Sequence, residues 1–371
     1  MMESFLDQDR KTMVDLPKKI AEITPAFLSQ ILNADIATVT HAPVPAQGAI
    51  STTTRLDLDY LAETSGPASI FAKCSSSIED VRQMAKKNGM YRREVMFYQK
   101  LVEDSQIPTP TCYFANWDRT NGDFLLLLED MSNSRVGNFY TSSLKDVEQV
   151  IEHLPHFHAH WWNQQRLDQQ RWLFPLDHPA AIESLWSAFT AALPVAKQRF
   201  PTEFDGALGT IADAISEHYP KIATHYAMRP ATLVHSDLHL QQIFFPNSKG
   251  GRFAICDWQT VGRGFMGQDL ARIIVTSLDR TLRRTAERSL VESYHKRLIK
   301  FGVSNYTLDE CWDDYRLGLT WNVITNVNAT ASIDREAMDA EAATYGTTLT
   351  ETFFGRLEAA LIDLKVAALL D

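Results

Sequence analysis

Two aspartates in the C-terminal half of the chain stand beside short apolar runs. Asp237 precedes the run Ile243–Phe245, and Asp257 directly follows the run at positions 253–256. The segment 246–251 between the two runs is rich in turn-forming residues, so the sequence predicts a β-hairpin. Such a hairpin would bring both carboxylates to one end. One carboxylate could then orient a hydroxyl while the other binds Mg²⁺, which is the arrangement that phosphoryl transfer requires.

Phosphoryl transfer also needs groups that bind the phosphates of a nucleotide, and a candidate loop lies upstream. The segment 47–54 combines a glycine with several hydroxyl residues and leads into the alternating segment 55–61, which predicts a loop between two strands. Ser51 and Thr52 would offer hydroxyls and backbone amides to phosphate oxygens. The chain contains neither the GxGxxG pattern nor the Walker phosphate-binding pattern, so neither of those sites is indicated.

A lysine and a glutamate follow in the order that a kinase needs. Lys73 lies in the short apolar segment 69–74, which predicts a strand that points an ammonium group at phosphates. The segment 91–101 has apolar residues at helical spacing and carries Glu94, which is placed to pair with Lys73. The alternative is that Lys73 is an exposed lysine at the edge of a strand.

These residues resemble those of the kinase-like small-molecule phosphotransferases, the aminoglycoside phosphotransferase and choline kinase group, and most closely its ecdysteroid kinase-like branch. The family pattern begins with His-Gly-Asp and is matched by His235 and Asp237. It continues with an Asn and a hairpin that ends in Asp-Trp-Gln or Asp-Phe-Gln, and Asp257 begins that last motif here. Two positions depart from the pattern: Ser236 replaces the Gly, and Gln242 replaces the Asn.

The resemblance implies a role for each of these side chains. Asp237 would be the catalytic residue that orients the acceptor hydroxyl or accepts its proton. Asp257 would bind Mg²⁺, and Gln242 stands where the family has its second magnesium ligand. Gln keeps the amide oxygen but adds a methylene, so it would bind the metal with shifted geometry or impair the site. His235 and Asp269 would support the catalytic loop without contacting substrate.

The resemblance also implies where adenine binds. The apolar strand 124–128 would run into a hinge, at which backbone groups around Glu129 and Met131 contact the adenine edge. An ordinary buried strand requires the same residues. His239, two residues after the catalytic aspartate, would either face the acceptor or pack in the interior.

A histidine-rich helical segment suggests a possible metal site. His156 and His160 are four residues apart on one predicted helical face, with Glu152 one turn earlier. The HExxH order is absent and no remote third ligand is evident, so a structural role is favoured. The resemblance implies that His158 and the aromatic residues after it pack under the catalytic loop. Pro155 predicts a kink or a new helix start in this segment.

The composition and net charge limit which binding partners and which cellular compartment are expected. The chain has 371 residues, 45% of them hydrophobic, which is enough for two lobes with substantial cores. A net charge of −10 argues against nucleic acid as a partner, because binding phosphates non-specifically requires a basic surface.

Positions 1–10 contain no signal-peptide core, and no apolar run is long enough to span a bilayer. We therefore expect a cytoplasmic protein without a membrane partner. The four scattered cysteines favour neither a zinc site nor disulfides.

Taken with the resemblance, these features predict an α+β, protein-kinase-like, two-lobed fold. Residues 1–131 would form a small sheet-based nucleotide-binding lobe that ends in the hinge. Residues 132–371 would form a larger, mainly helical lobe with the catalytic loop and the acceptor pocket, and positions 357–370 predict a terminal helix. The implied function is transfer of the γ-phosphoryl group of ATP, with Mg²⁺, to a hydroxyl of a small molecule.

Two other functions fit the same fold. The departures at Ser236 and Gln242 are compatible with a catalytically silent protein that binds ligands but transfers nothing. A nucleotidyl transferase would use the same residues on the same fold. The sequence leaves these alternatives open, together with the identity of the acceptor and the oligomeric state.

Overall fold

The computed structural model describes residues 16–17, 19–44, 50–175, 179–248, 250–330 and 333–370. Positions 1–10, the part of the predicted phosphate loop at 47–49 and the turn residue Lys249 lie outside the described residues. The chain divides into two compact units. The first comprises Met1–Gln99 and Thr111–Asp130, and the second comprises Lys100–Pro110 and Met131–Asp371.

The first unit is built on an antiparallel sheet. Its strands are β1 (Ile36–Pro43), β2 (Ser51–Tyr60), β3 (Ser69–Ser75), β4 (Cys112–Trp117) and β5 (Phe124–Glu129). Among the described residues these five strands pair in the order β1-β2-β3-β5-β4. The apolar run of β5 is buried because β5 lies between β3 and β4. In β2, Leu56 and Leu58 are buried two residues apart, as expected of a strand with one face on the core.

Helices of the same unit pack against this sheet. They are α1 (Pro25–Leu32), α2 (Glu79–Lys87) and α3 (Met90–Lys100). α1 begins after Thr24, whose hydroxyl accepts a hydrogen bond from Phe27 N at 3.2 Å, and it has proline at its first position. Phe27 and Leu28 then pack into the same hydrophobic cluster as Ile70 and Leu125 of the sheet.

Helices make up most of the second unit. They are α4 (Leu144–Trp161), α5 (Gln165–Asp168), α6 (Pro179–Arg199), α7 (Ala207–Ala227), α8 (Gly267–Ser277), α9 (Arg280–Lys300), α10 (Leu308–Ala329), α11 (Arg335–Thr344) and α12 (Arg356–Asp363). α8 and α10 approach each other through glycines. A Cβ atom on Gly318 would lie 1.9 Å from the carbonyl oxygen of Gly267, so the backbones can meet only without that side chain.

Short strands join these helices. They are β6 (Arg135–Val136), β7 (Phe174–Pro175), β8 (Thr232–Val234), β9 (Ile243–Phe245), β10 (Ala254–Ile255) and β11 (Gly262–Gly264). β9 and β10 pair antiparallel, with Ile255 opposite Ile243, so the predicted hairpin is confirmed. β8, which leads into the predicted catalytic loop, pairs antiparallel with β11.

Two local expectations need correction. Of the kink or new helix start expected at Pro155, the new start is wrong, because α4 runs without interruption from Leu144 to Trp161. Leu154 and Phe157 beside Pro155 are buried, and this packing compensates for the backbone bond that proline removes. The predicted terminal helix at 357–370 is also too long. α12 ends at Asp363, and Lys365 has a left-handed φ of 51° that separates α12 from a final 3₁₀ turn.

In the part of the chain that the structure describes, none of the helices combines the length and the apolar character that a bilayer-spanning segment requires.

Candidate functional site

The loop that follows β8 is anchored by the first turn of α8. Asp269 is fully buried and accepts hydrogen bonds from two successive backbone amides. His235 N lies 2.7 Å from its Oδ2, and Ser236 N lies 2.8 Å from its Oδ1. Hydrogen bonds to a carboxylate are short and directional. Asp269 therefore fixes the course of the chain immediately before Asp237.

Two further buried side chains hold Asp269 in place. His158 of α4 has its Nε2 3.3 Å from Asp269 Oδ2 and its Nδ1 2.6 Å from the hydroxyl oxygen of Tyr294 in α9. All three side chains are buried. Burial raises the pKa of Tyr294 well above its ordinary value, so the phenol keeps its proton. His158 thus connects the catalytic loop to two long helices.

Ser236 has the backbone conformation that the family's usual glycine adopts easily. Its φ is 70°, in the left-handed region. Its N–H is bonded to Asp269, and its carbonyl oxygen accepts a hydrogen bond from Trp321 Nε1 at 3.0 Å. Holding a residue other than glycine there costs about 1–2 kcal/mol. Two hydrogen bonds of about 1 kcal/mol each offset that cost, so serine is compatible with the loop.

We expect Ser236→Gly to change the free energy of unfolding by less than about 1 kcal/mol. The relief of left-handed strain is offset by the larger backbone entropy that glycine loses on folding, about 0.5–1 kcal/mol. Ser236→Val should destabilise more, because a β-branched side chain resists positive φ. Urea unfolding of the three proteins measures both effects. A loss of more than about 2 kcal/mol in the glycine variant would contradict the backbone explanation.

The predicted catalytic carboxylate has a partner that sequence reasoning missed. Arg272 of α8 places Nε 3.1 Å and Nη2 2.8 Å from Asp237 Oδ1. Arg272 is only 4% exposed, whereas the Asp237 side chain retains 24% exposure. A sequence signal existed, because Arg272 is the one charged residue of α8 after Asp269. Buried arginines are rarely found without a specific partner.

The second predicted carboxylate lies where β10 ends. Asp257 has a left-handed φ of 68° and precedes the single 3₁₀ turn Trp258–Thr260. Its Oδ2 accepts from two side-chain amides, Gln259 Nε2 at 3.2 Å and Gln242 Nε2 at 3.4 Å. The backbone adds a tie, because Cys256 N donates to the carbonyl oxygen of Gln242 at 2.9 Å. The hairpin therefore brings Asp257 against the end of the catalytic loop.

Gln242 presents its nitrogen to Asp257, and the backbone determines this orientation. Its Oε1 lies 3.3 Å from His239 N, which is a donor and therefore requires an acceptor opposite it. Exchanging the nitrogen and oxygen of the Gln242 amide would place its NH₂ group against the N–H of His239, so two donors would face each other. The oxygen of Gln242 thus accepts from the loop while its nitrogen faces Asp257, so a metal bound by Asp257 would meet the amide nitrogen, which is not a metal ligand.

The donor groups fit one hard cation better than two. Mg²⁺ prefers carboxylate oxygens and commonly completes its shell with substrate phosphates and water, so the Asp257 carboxylate fits. The Gln242 oxygen does not fit in the orientation just described. The proposed metal site therefore centres on Asp257, with Gln242 as its neighbour.

Two histidines flank Asp237 and differ in their contacts. His235 is 1% exposed and donates from Nε2 to the carbonyl oxygen of Cys256 at 3.0 Å, so it ties the loop to the hairpin. His239 packs edge-on against Phe139, with ring centroids 6.0 Å apart. Burial lowers the pKa of His239 to about 4, so the ring is neutral near pH 7. Its Nδ1 has no hydrogen-bond partner among the described residues.

In the first unit the predicted lysine–glutamate pair is in contact. Lys73 Nζ lies 2.8 Å from Glu94 Oε1, with side-chain exposures of 12% and 1%. Lys73 is therefore not an exposed edge lysine. β2 lies beside it, with Thr53 opposite Lys73 and Thr52 opposite Cys74. Ser51, the other predicted phosphate-binding residue, is buried at the start of β2.

The predicted hinge residues lie at the end of β5 and just after it. The Glu129 carboxylate accepts from both the backbone N–H and the hydroxyl of Thr111, each at 2.9 Å. Met131 has a buried side chain, and its carbonyl oxygen accepts from Ser134 N at 2.8 Å. The side chains of these residues thus serve the local structure. Their contact with adenine through the backbone stays a prediction.

The histidine pair of α4 does not form a metal site. His156 stacks on Phe301, with ring centroids 4.2 Å apart, whereas His160 Nε2 accepts from Arg166 Nη2 at 2.6 Å. Their partners are different, so their spacing does not bring them to a common ion. Among all described residues, no group of three or more His, Cys, Asp and Glu side chains could hold a metal ion.

Comparison with known families gives one match that covers most of the chain. The family model described as "Ecdysteroid kinase-like family" matches residues 45–303. These residues include Lys73, Glu94, Asp237 and Asp257. No curated protein matches the chain.

Comparison with solved structures identifies proteins of similar fold. Aminoglycoside 2′-phosphotransferase-IIIa, solved as its GDP complex, has 12% identity and a TM-score of 0.52, with 91% of this chain and 96% of that chain covered. A protein of Ralstonia eutropha JMP134 assigned to the aminoglycoside phosphotransferases has 12% identity and a TM-score of 0.51, with coverages of 92% and 96%. A choline kinase of Streptococcus pneumoniae has 12% identity and a TM-score of 0.48, with coverages of 91% and 96%. At these identities the first two establish the fold, so the predicted α+β, protein-kinase-like fold is confirmed.

Proposed function

Because this chain belongs to the ecdysteroid kinase-like family, we propose that it is an ATP-dependent kinase of small molecules. The reaction is transfer of the γ-phosphoryl group to a hydroxyl of the acceptor. The acceptor is a small molecule, and Mg²⁺ is the required metal.

The observation that carries the proposal is the linkage of two carboxylates in the second unit. Asp257 is bonded to the Gln242 side chain, which is bonded to the backbone of His239, two residues after Asp237. This short path supports a common site for both acids, because a phosphoryl-transfer site needs a hydroxyl and a metal held at fixed separation. The buried Lys73–Glu94 pair of the first unit adds a cation of the kind that kinases use for phosphates.

Each side chain then has a defined task. Asp237 accepts a hydrogen bond from the acceptor hydroxyl and takes its proton as the new phosphate ester forms. Asp257 holds the metal, which when bound neutralises phosphate charge. Lys73, fixed by Glu94, binds phosphate oxygens, and Ser51 and Thr52 lie on the strand next to it. His239 is neutral and half-buried, so it presents an uncharged surface beside Asp237.

The products of the reaction test the proposal against its rivals. The purified chain is incubated with ATP, Mg²⁺ and a panel of sugars, sterols and amino alcohols, and both ADP and pyrophosphate are measured. Acceptor-dependent ADP release supports the kinase, and pyrophosphate release supports a nucleotidyl transferase. A Mg²⁺-dependent thermal shift with ATP, without either product, supports the silent binding protein. Asp237→Asn provides the inactive control.

We expect Gln242→Asn to alter the Mg²⁺ requirement more than the affinity for the acceptor. The shorter side chain cannot hold His239 N and Asp257 as Gln242 does, and it restores the length of the family's metal ligand. The Mg²⁺ concentration for half-maximal activity should fall by about tenfold, the lower end of the effect of groups around metal ligands. Titration of Mg²⁺ at saturating ATP and acceptor measures this change.

Gln259→Asn is the matched comparison, because it shortens the other amide that contacts Asp257. It should not lower the Mg²⁺ requirement, since Gln259 does not occupy the family's ligand position. A shift of the acceptor KM at unchanged Mg²⁺ dependence in Gln242→Asn would instead assign Gln242 to the acceptor pocket.

A further inference from the structure

We infer that Arg272 is a positioning residue for Asp237, a role that rests on the proposed kinase function. The guanidinium holds one oxygen of the carboxylate and leaves the other for the acceptor hydroxyl. Both contacts from Arg272, through Nε at 3.1 Å and Nη2 at 2.8 Å, end on Oδ1. Oδ2 is therefore the oxygen that we assign to the acceptor.

Hydrogen bonds hold the Arg272 side chain in place, so it can hold the Asp237 carboxylate in one orientation. Its Nη1 donates to Asn326 Oδ1 of α10 at 2.6 Å, and Asn326 Nδ2 donates to the carbonyl oxygen of Phe353 at 2.6 Å. Arg272 and Asn326 are 4% and 3% exposed. The close approach of α8 and α10 at Gly267 and Gly318 keeps these two helices in register. Contacts with Asn326 on one side and Asp237 on the other thus determine the orientation of the planar guanidinium.

Arg272 also balances charge in the proposed site. The charged and titratable groups that act on the neighbouring ring of His239 are Asp237, Arg272 from α8, Asp257 from the hairpin and His235 from the same loop. A guanidinium keeps its positive charge at ordinary pH, so Arg272 offsets the negative charge of the two carboxylates. Without it, Asp237 would share the site with the Asp257 carboxylate.

The test compares two buried arginines of the same unit. Arg272→Met removes the proposed positioning group. Arg283→Met removes an arginine of α9 that is 0% exposed and binds Glu287 and Asp363, outside the proposed site. Arg272→Lys restores the charge without the fork of two donors, and Asn326→Ala loosens Arg272 without removing it. These milder variants keep the test decisive if Arg272→Met folds poorly.

Two measurements are made on each variant. Hydrogen–deuterium exchange of the segment 235–245 reports the order of the catalytic loop without any activity. Steady-state kinetics give kcat and the KM for ATP separately, and so distinguish an effect on transfer from an effect on nucleotide binding. For Arg272→Met we expect faster exchange in this segment and a kcat about 10²-fold lower at pH 7. KM for ATP should stay within about threefold, because the ATP ligands proposed above are other residues.

The milder variants should follow the same direction. Arg272→Lys should recover only part of kcat, because it lacks the fork of two donors, and Asn326→Ala should lower kcat by about tenfold. Arg283→Met should change neither the exchange of 235–245 nor kcat. Unchanged exchange in Arg272→Met overturns the inference. Faster exchange with an unchanged kcat also overturns it, because Arg272 is then only structural.

The inference and the proposed function fail in different ways. If the wild-type chain transfers no phosphate to any acceptor, the kinase proposal fails and Arg272 has no catalytic part to position. The exchange measurement then still decides whether Arg272 orders the loop. If the wild type is active and Arg272→Met matches it in exchange and kcat, the kinase stands and the role of Arg272 is overturned.

Discussion

Asp237→Asn should lower turnover by about 10²–10⁴-fold while the affinity for ATP stays nearly unchanged, because a positioned proton acceptor contributes that much to a transfer step. Asparagine keeps the shape of the side chain and an oxygen that can accept from Arg272, so the loop keeps its hydrogen bonds to Asp269. The lost property is the negative charge that takes the hydroxyl proton. Single-turnover rates and equilibrium binding of ATP with Mg²⁺ measure the two quantities separately.

Asp257→Asn is the matched control for this prediction. It makes the same chemical change on the other carboxylate, which we assign to the metal. It should weaken the dependence of nucleotide binding on Mg²⁺ as well as turnover, because a neutral amide is a poorer ligand for a hard cation. If both variants lose binding of ATP with Mg²⁺ equally, the division of roles between Asp237 and Asp257 is wrong.

Much of the site could be predicted because its signals are local. The hairpin β9–β10 follows from two short β-prone runs separated by turn residues, and Asp257 lies directly after the second run. The strand with Lys73 and the helix with Glu94 each have their own periodicity, and their contact follows from the resemblance to kinases. In the structure, this hairpin, this strand and this helix lie where the sequence patterns predict them.

The remaining features depend on contacts between distant segments. Nothing near Arg272 in the sequence names Asp237 as its partner, because that contact needs α8 to pack under the catalytic loop. The orientation of the Gln242 amide likewise depends on the backbone N–H of His239. The continuity of α4 through Pro155 reflects tertiary packing that overrides local propensity. Patterns within one element carry no information on such pairings.

The buried ion pair of Lys73 and Glu94 in the first unit determines which variants can test the role of Lys73. Glu94 is 1% exposed and Lys73 is 12% exposed. Removal of one partner from a buried pair is destabilising because it leaves the other charge in a poorly solvated site. A loss of activity in a Lys73 variant alone would therefore combine lost stability with lost catalysis. A variant that removes both charges separates the two effects.

We expect Lys73→Met to lower kcat/KM for ATP by about 10²–10³-fold, the effect of removing one electrostatic donor from a transfer site. It should also lower the free energy of unfolding by about 3 kcal/mol, the lower end for buried pairs, because Lys73 keeps some exposure. The double variant Lys73→Met/Glu94→Gln should recover most of the stability, since it leaves no unpaired charge, but none of the activity.

Urea unfolding and initial rates over a range of ATP concentrations measure both quantities for the wild type, both single variants and the double variant. Glu94→Gln alone should reduce activity less than Lys73→Met, because the ammonium group remains and only its orientation is weakened. Recovery of both stability and activity in the double variant would show that the pair stabilises the sheet without binding phosphate. Lys73 would then leave the set of nucleotide-binding residues, whereas Asp237 and Asp257 would keep their assignments because their evidence comes from the second unit alone.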